Sequence, residues 1–388
     1  MTYVDRPMWN EPNRRIKVLA VPGSMEIGGA QKQFVSLARL LNRDKFDLFT
    51  AVHSASGPCL KEYPKDIPVH DLGATPGRGN SPRLIRGIRH LILQIRPDIL
   101  YTLLWGSNVR AALANRLVPA NIRPKHVILI QNNPESYGTH GLLLLKLLCP
   151  WTDVVCSVSE GVQRGLLRHI NISGEKLRVI YDGVDIGEIR HLSNKPVEHK
   201  WIASEVPLLI CVSRLVRQKG LPYLLEAFRL VNHEMPCHLI IIGDGPERQN
   251  LEQLATELGI RDRVDFLGFQ TNPFPYIARA DVFVLASLWE GFGIVLIEAM
   301  ALGTPVVATR APYGPEEIIE DGVDGLLVPV KNPPAMSRSI VKLLSDPSLR
   351  AQLAERGRET VERKFSAKAR VHRLEQLFYE LFAEQGEL

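Results

Sequence analysis

The densest run of chemistry-bearing residues lies between Leu288 and Val307, where Glu290 and Glu298 flank a glycine-rich turn. Gly291, Phe292 and Gly293 lead from Glu290 into a helix expected to start near Ile294, and Val295, Leu296 and Ile297 precede Glu298 within it. Gly303 is placed to close that helix, and Pro305 to open the next strand. A carboxylate among apolar helical residues is costly unless something pairs with it. An internal arginine would serve, and so would a ribose diol, since a carboxylate can accept from both hydroxyls. Glu290, at the tip of the loop, is placed to meet the hydroxyls of a sugar.

A second group is cationic. The run Ser213-Arg214-Leu215-Val216-Arg217-Gln218-Lys219-Gly220 follows an apolar strand and sets Arg214 and Lys219 in the loop at its end. Two bases in a loop also suit a plain solvated surface. Their sharper use is to neutralise the charge that builds on a departing diphosphate, a task that otherwise falls to helix ends or a metal. No Asp-x-Asp pair, the usual sign of a metal-held diphosphate, occurs in the chain. Near the start, Val21 leads through Pro22-Gly23-Ser24-Met25-Glu26-Ile27-Gly28-Gly29 into a helix. Paired glycines there allow backbone N–H groups to approach an anion. The spacing matches neither GxGxxG nor GxxxxGK[ST], which counts against a dehydrogenase or a P-loop NTPase.

The elements that must hold these loops alternate in type. Short apolar runs at 16–21, 46–53, 99–103, 127–131 and 153–159 read as strands, with helices at about 30–41, 82–95 and 108–117. A polar stretch between Tyr181 and Pro207 interrupts the rhythm. It resumes with strands at 208–213, 238–242, 264–266, 282–286 and 305–309, and helices at 221–231 and 247–258. The expected architecture is α/β, with two doubly wound Rossmann-like domains facing a cleft and ligands outside the carboxyl ends of the strands. The expected boundaries are a disordered lead-in over 1–15, a first domain over 16–185, a linker over 186–206 and a second domain over 207–368. A terminal helix at about 369–388 is expected to return to the first domain.

Taken together in order and spacing, these segments resemble the family 4 retaining glycosyltransferases of GT-B fold, over nearly the whole chain. The resemblance rests on Gly28-Gly29, Val158-Ser159, Tyr181-Asp182-Gly183-Val184-Asp185, Ser213-Arg214 through Lys219-Gly220, Ile242-Gly243-Asp244-Gly245-Pro246, Phe266-Leu267-Gly268-Phe269, the Glu290/Glu298 pair and Glu320-Asp321-Gly322-Val323-Asp324-Gly325. It implies that Arg214 and Lys219 hold a diphosphate, Glu298 the ribose and Glu290 the transferred sugar. The backbone from Gly291 and Phe292 through Gly293, Ile294 and Val295 would add contacts to the donor. Gly243 and Phe269 would lie near the nucleobase, and Gly28 and Gly29 near the phosphate and acceptor. It further implies retention by same-face attack, a nucleotide diphosphate sugar as substrate, and neither cofactor nor metal. Many relatives carry a histidine where this chain reads Gln131-Asn132-Asn133-Pro134. Asn132 could bind sugar hydroxyls there but cannot do acid–base work near neutral pH. Ala311-Pro312-Tyr313-Gly314-Pro315-Glu316-Glu317-Ile318 resembles users of UDP-sugars, often N-acetylhexosamines. Two rival readings are a GT-B nucleotide-sugar epimerase and a non-catalytic nucleotide-sugar sensor or partner subunit.

Composition bounds the rest. The 388 residues suit two domains, with 45% hydrophobic and 23% charged residues. The lead-in lacks the apolar core of an export signal, and Leu142–Trp151 is too short to span a bilayer. The five cysteines form no CxxC pair, so the reducing cytoplasm is the expected location. Up to Lys195 there are 26 Lys and Arg against 16 Asp and Glu, which leaves 26 − 16 = +10 in a chain of net +5. A basic front half fits either a chance distribution over two solvated surfaces or something anionic, such as a membrane surface or a phosphorylated acceptor; the expected acceptor is a glycan or lipid-linked one, and no aromatic-basic interleaving points to nucleic acid. Arg83, Arg86, Arg89 and Arg96 lie along one predicted amphipathic helix, either an ordinary packed helix or a basic face for anionic lipid. The Gly- and Pro-containing stretch from Gly73 to Ser81 is expected to be irregular.

Overall fold

The computed structural model describes residues 14–26, 28–74, 78–202, 204–384 and 386. The chain forms two compact units. The first takes the chain up to Ser157, Leu166–Ile180 and the stretch from Arg370 onward; the second takes Val158–Gly165 and Tyr181–Ala369.

The front of the chain runs β1 (Ile16–Gly23), α1 (Gly29–Leu40), β2 (Phe46–Val52), β3 (Val69–Asp71), α2 (Ser81–Ile95), β4 (Ile99–Thr102), α3 (Trp105–Arg116), β5 (Lys125–Ile130), α4 (Gly138–Leu148), β6 (Val154–Ser157), α5 (Glu160–His169) and β7 (Leu177–Val179). Among the described residues these strands make a seven-stranded sheet in the order β3-β2-β1-β4-β5-β6-β7. Every pairing is parallel. The strands are apolar runs rather than alternating ones because helices cover both faces of such a sheet. Leu19, Val21 and Leu100 pack on one face against Ile88 and Ile92 of α2 and Ala111 of α3.

The later chain runs α6 (Ile186–Ser193), β8 (Leu208–Val212), α7 (Leu221–Glu234), β9 (His238–Ile242), α8 (Arg248–Glu257), β10 (Val264–Gly268), α9 (Phe274–Ile277), β11 (Val282–Leu285), α10 (Ile294–Leu302), β12 (Val306–Thr309), α11 (Pro315–Ile318), β13 (Leu326–Val328), α12 (Pro333–Ser345), α13 (Pro347–Lys364) and α14 (Ala367–Ala383). Its six described strands form a second parallel sheet in the order β10-β9-β8-β11-β12-β13. The chain order reverses between β8 and β11, and that switch point is where ligands bind in open parallel sheets.

The terminal helix returns to the first unit, as expected. Phe378 of α14 meets Phe46 and Tyr101 edge-on, with centroids 6.2 and 5.7 Å away. Arg370 is 1% exposed and donates to the Gln33 carbonyl and to Tyr101 Oη.

Several expectations shift. The lead-in over 1–13 lies outside the described residues, but Arg14 and Arg15 are described. Arg14 grips Asp98 through two hydrogen bonds of 2.8 and 2.7 Å and lies over the Phe382 ring. The stretch 186–206 is not an unstructured linker throughout. Asp185 accepts from Glu188 N and caps α6, whose three large apolar residues Ile186, Ile189 and Leu192 were too few to show a period. Of the stretch from Gly73 to Ser81, residues 75–77 lie outside the described residues, 78–80 form a 3-10 turn and Ser81 already begins α2. Short strands β3, β7 and β13 were missed because three residues carry no readable pattern. All five cysteines are buried and free.

Two buried histidines make the fold sensitive to acid. Thr102 Oγ1 donates to Asn108 Oδ1, so His126 Nε2 is left to donate to Thr102 Oγ1 at 3.2 Å, and its Nδ1 has no partner. Burial pushes His126 down to about 3, and burial with Arg110 nearby pushes His53 down to about 4. The unfolded chain therefore takes up these protons before the folded chain does. Stability should rise with pH between the folded values and the ordinary 6.5, and fall on acidification through that window. The slope is about 1.4 kcal/mol per pH unit for each fully buried histidine. Urea unfolding between about pH 4.5 and 7 should show a shallower slope in His126→Gln, by about one proton. Parallel slopes would mean that His126 does not titrate with unfolding.

Candidate donor site

The switch point of the second sheet builds the site. β8 and β11 are neighbours, so the loop Ser213–Gly220 after one lies beside the loop Ser287–Gly293 after the other. Backbone and amide bonds lace them together. Leu288 N donates to the Gln218 carbonyl at 2.8 Å, and Gln218 Nε2 donates to the Trp289 carbonyl at 2.9 Å. Gly220 sits at φ 58°, and a Cβ there would strike the Ala286 carbonyl oxygen. Only glycine lets the cationic loop lie this close to the end of β11.

This closeness brings Lys219 onto Glu290. Lys219 Nζ donates to Glu290 Oε1 at 2.5 Å, and Ser287 Oγ donates to the same oxygen at 2.6 Å. The side chains are 13% and 7% exposed. Among the described residues Oε2 of Glu290 receives no hydrogen bond, and Lys219 has no second acceptor. The pair thus keeps an unused acceptor and unused ammonium donors. Arg214 is exposed, with a 3.4 Å bond from Nη2 to Gln218 Oε1, so its guanidinium is open to an anion.

The opposite side of the Glu290 loop is equally fixed. Glu290 N donates to the Pro312 carbonyl and Tyr313 N donates back to the Glu290 carbonyl, at 2.9 and 3.0 Å. Gly314, at φ 96°, leaves no room for a Cβ beside the Phe292 carbonyl. Phe292 is buried against Tyr181 and Phe365. Gly293 precedes α10 at φ 106° and, having no side chain, caps none of its first N–H groups, of which Leu296 N turns back to the Gly293 carbonyl at 2.9 Å. Such a terminus favours negative charge.

Glu298 differs from the sequence reading. It is half-buried and not fully buried, on the face of α10 shared with Ile294 and Val295. The buried face belongs instead to Leu296, Ile297 and Met300. A carboxylate one turn along from an open helix terminus can accept from a diol without the penalty of full burial.

Gly243 and Phe269 come to the same edge. Gly243 N donates to the Gly268 carbonyl at 2.9 Å, and a Cβ on Gly243 would collide with the Ser213 carbonyl. Phe269 follows Gly268 and is 58% exposed, an aromatic face open to a planar ligand. Arg214, Lys219, Gly243, Phe269, Glu290, Gly291–Val295 and Glu298 therefore all lie on loops or helix starts at the carboxyl ends of the second sheet. Gly28, Gly29 and Asn132 belong to the first unit. Gly28 precedes the uncapped start of α1. Asn132 is exposed and hydrogen-bonds Tyr137, whose ring stacks on Trp105 at 4.8 Å.

Three side chains, Glu317, Ser159 and His53, were given no role in the sequence reading, although Val158-Ser159 counted towards the resemblance. Glu317 of α11 accepts from Glu160 N and Gly161 N, both at 2.7 Å, and so caps the start of α5. Beside it Ser159 Oγ donates to the Gly291 carbonyl at 2.7 Å, inside the Glu290 loop. Ser159 could have been found as a helix N-cap. Nothing local marks Glu317, whose partners are more than 150 positions away. His53 directly follows β2 beside Gly23 and Ser107, with Nε2 3.5 Å from Ser107 Oγ, a histidine that follows a different strand from the expected one.

The coupling of Lys219 and Glu290 is measurable. Lys219→Met strands a buried carboxylate and should lower the urea stability by about 3 kcal/mol or more. Adding Glu290→Gln removes the stranded charge and should recover most of that loss. A double variant no more stable than Lys219→Met would show that the two charges are not coupled.

Comparison with known proteins places the chain in a family. The family described as Glycosyltransferase Family 4 matches residues 27–188, and that described as Glycosyl transferases group 1 matches residues 197–360. A lipopolysaccharide core biosynthesis glycosyltransferase, LpsE of Rhizobium meliloti, is 42% identical over 73% of this chain and 76% of its own length. The N-acetylgalactosamine-N,N'-diacetylbacillosaminyl-diphospho-undecaprenol 4-alpha-N-acetylgalactosaminyltransferase of Campylobacter jejuni is 32% identical over 61% of this chain and 62% of its own. The crystal structure of Anabaena Alr3699/HepE with UDP and glucose superposes with a TM-score of 0.78, at 23% identity, over 94% of this chain and 100% of that one. The two sheets, the loops at their carboxyl ends and these matches over both halves of the sequence make the chain a member of the family 4, group 1 glycosyltransferases, with the GT-B fold.

Proposed function

We propose that the chain transfers a hexosyl or N-acetylhexosaminyl group from a UDP-sugar to a lipid-linked or glycan acceptor, with retention at the anomeric carbon and without a metal ion, in the assembly of a surface polysaccharide such as a lipopolysaccharide core. The observation that carries this reading is the Lys219–Glu290 pair set beside the uncapped start of α10. Lys219 and Arg214 would meet the charge that develops on the leaving diphosphate, together with the first N–H groups of α10. Glu298 would accept from the ribose hydroxyls, and Phe269 would cover the base. Glu290 Oε2, which no described residue uses, would accept from a hydroxyl of the transferred sugar. Holding Glu290 by two donors at Oε1 fixes the direction of Oε2 in advance of binding. The amide of Asn132 can orient hydroxyls and carries no proton to the reaction, in keeping with a leaving phosphate that assists same-face attack. The relatives from Rhizobium and Campylobacter support the acceptor class, and the bound UDP of the Anabaena protein supports the base.

Contact with a membrane surface forms part of the proposal. No described helix is long and apolar enough to cross a membrane. However, α4 and the turn after it expose Leu143, Leu144, Leu147 and Trp151, beside the exposed Lys146. Large apolar residues gathered on one helix face, with a lysine at its flank, suit shallow insertion among anionic headgroups. Leu143→Asp/Leu147→Asp should abolish sedimentation with phosphatidylglycerol vesicles while leaving UDP binding intact. Equal sedimentation of variant and wild type would remove α4 from that role.

The reaction itself is tested by nucleotide release from UDP-, GDP- and ADP-sugars, with and without chelator, in the presence of lipid-linked acceptors. Release from a UDP-sugar should persist in chelator and fall by about a hundredfold or more in Glu298→Ala and Arg214→Ala. The product's anomeric proton should keep the donor's configuration. An inverted product would overturn retention, loss of release in chelator would overturn metal independence, and absence of nucleotide binding would overturn the donor site.

A further inference from the structure

Along the free edge of the first sheet, β3 and α2 border an open groove of about 640 Å³ that the donor site does not use, with Arg83, Arg86 and His90 exposed along it. Arg83, Arg86 and His90 line it from the helix and His70 from the strand. At 100° per residue the three helical side chains fall within an arc of about 60°. Arg89 and Arg96 lie on the other flank, where Arg89 Nε donates to the Leu117 carbonyl and Arg96 Nε to the Leu93 carbonyl. The three arginines of α2 and Arg96 just after it are therefore not one flat basic face for lipid. Arg83 and Arg86 are gathered, with two imidazoles, along one open groove.

The charges in that groove are only partly compensated. α2 contains no acidic residue, and among the described residues neither Arg83 nor Arg86 has an ion-pair partner. Asp71 is the single carboxylate lining the groove, and its Oδ1 already accepts from Gly73 N at 2.7 Å. His70 Nε2 is buried and has no hydrogen-bond partner among the described residues. The backbone makes room for the cations. Gly73, at φ 62°, lets the Arg83 guanidinium lie where a Cβ would intrude, and a Cβ on Gly87 would press on Leu72. Val69, Leu72 and Leu91 supply an apolar wall.

We infer that this groove binds a phosphate group carried on an organic body, with Arg83 and Arg86 as its principal donors and His70 and His90 completing the shell. Guanidinium forks match phosphate oxygens in pairs, and the apolar wall accommodates the atoms the phosphate is attached to. The site lies on the first unit and stands independently of the donor-site assignment.

The test titrates inorganic phosphate into the full-length chain and follows the ring C–H signals of the histidines by NMR, with His70 and His90 assigned through His70→Gln and His90→Gln. Both signals should move along one saturable curve while that of His233 on α7 stays still. In Arg83→Gln/Arg86→Gln the same shifts should need about tenfold more phosphate or more, and Arg83→Lys/Arg86→Lys should fall between. Unchanged thermal melting would show that each variant is folded. Vesicles distinguish the source of the phosphate. If sedimentation with phosphatidylglycerol, but not phosphatidylcholine, is lost in the glutamine variant, the group is a lipid headgroup. If sedimentation is unchanged while the phosphate shifts are lost, the group belongs to a soluble or glycan phosphate. Phosphate shifts absent from both histidines, or equal in wild type and the glutamine variant, would overturn the site.

Discussion

The second unit is organised around a lysine and a carboxylate that reach each other across the reversal in its sheet. Lys219 and Glu290 are 71 positions apart in sequence and 2.5 Å apart in space. A buried pair of this kind is a poor source of net stability, because desolvation offsets most of the attraction. Its value is positional. It ties the loop after β8 to the loop after β11, and the loop around Glu290 then sets where α10 begins. Gly220, Gly243 and Gly314 follow from the same constraint, since each allows one backbone to press on another where any Cβ would hold them apart.

Polar groups shared between distant segments recur around this loop. Ser159 reaches the Gly291 carbonyl and Glu317 caps the start of α5, so the segment 158–165 belongs to the second unit although the strand before it belongs to the first. Arg370 plays the matching part at the other end of the chain, buried among the residues of α1 and β4 with α14 around it. A guanidinium enclosed this way needs its hydrogen bonds, which fixes where the terminal helix sits. Both crossings are held by specific hydrogen bonds as well as by apolar packing.

The two surfaces of the first unit separate by chemistry. α4 presents leucines and a tryptophan, whereas the β3–α2 groove presents guanidinium and imidazole groups. The basic balance of the front half is thus not spread evenly. Part of it is spent on structure, as in Arg14 on Asp98 and Arg89 on a carbonyl, and part is left unpaired at Arg83 and Arg86.

Sequence alone determined the parallel α/β architecture, because buried parallel strands are apolar runs and the helices between them keep their period. It also placed the candidate donor-side residues on loops and a helix start, because glycine turns, a helix start near Ile294 and a C-cap at Gly303 are local events with local signals. It could not show that Lys219 pairs with Glu290, that Glu298 sits on a half-exposed face, or that Glu317 caps a helix more than 150 positions upstream. Nor could it split the arginines of α2 between carbonyl partners and a groove, since that depends on what β3 and the end of α3 bring alongside. Those facts depend on which loops become neighbours, and strand order sets that. Strand order is a property of the folded sheet, decided by how the crossovers pack and not by any spacing along the chain.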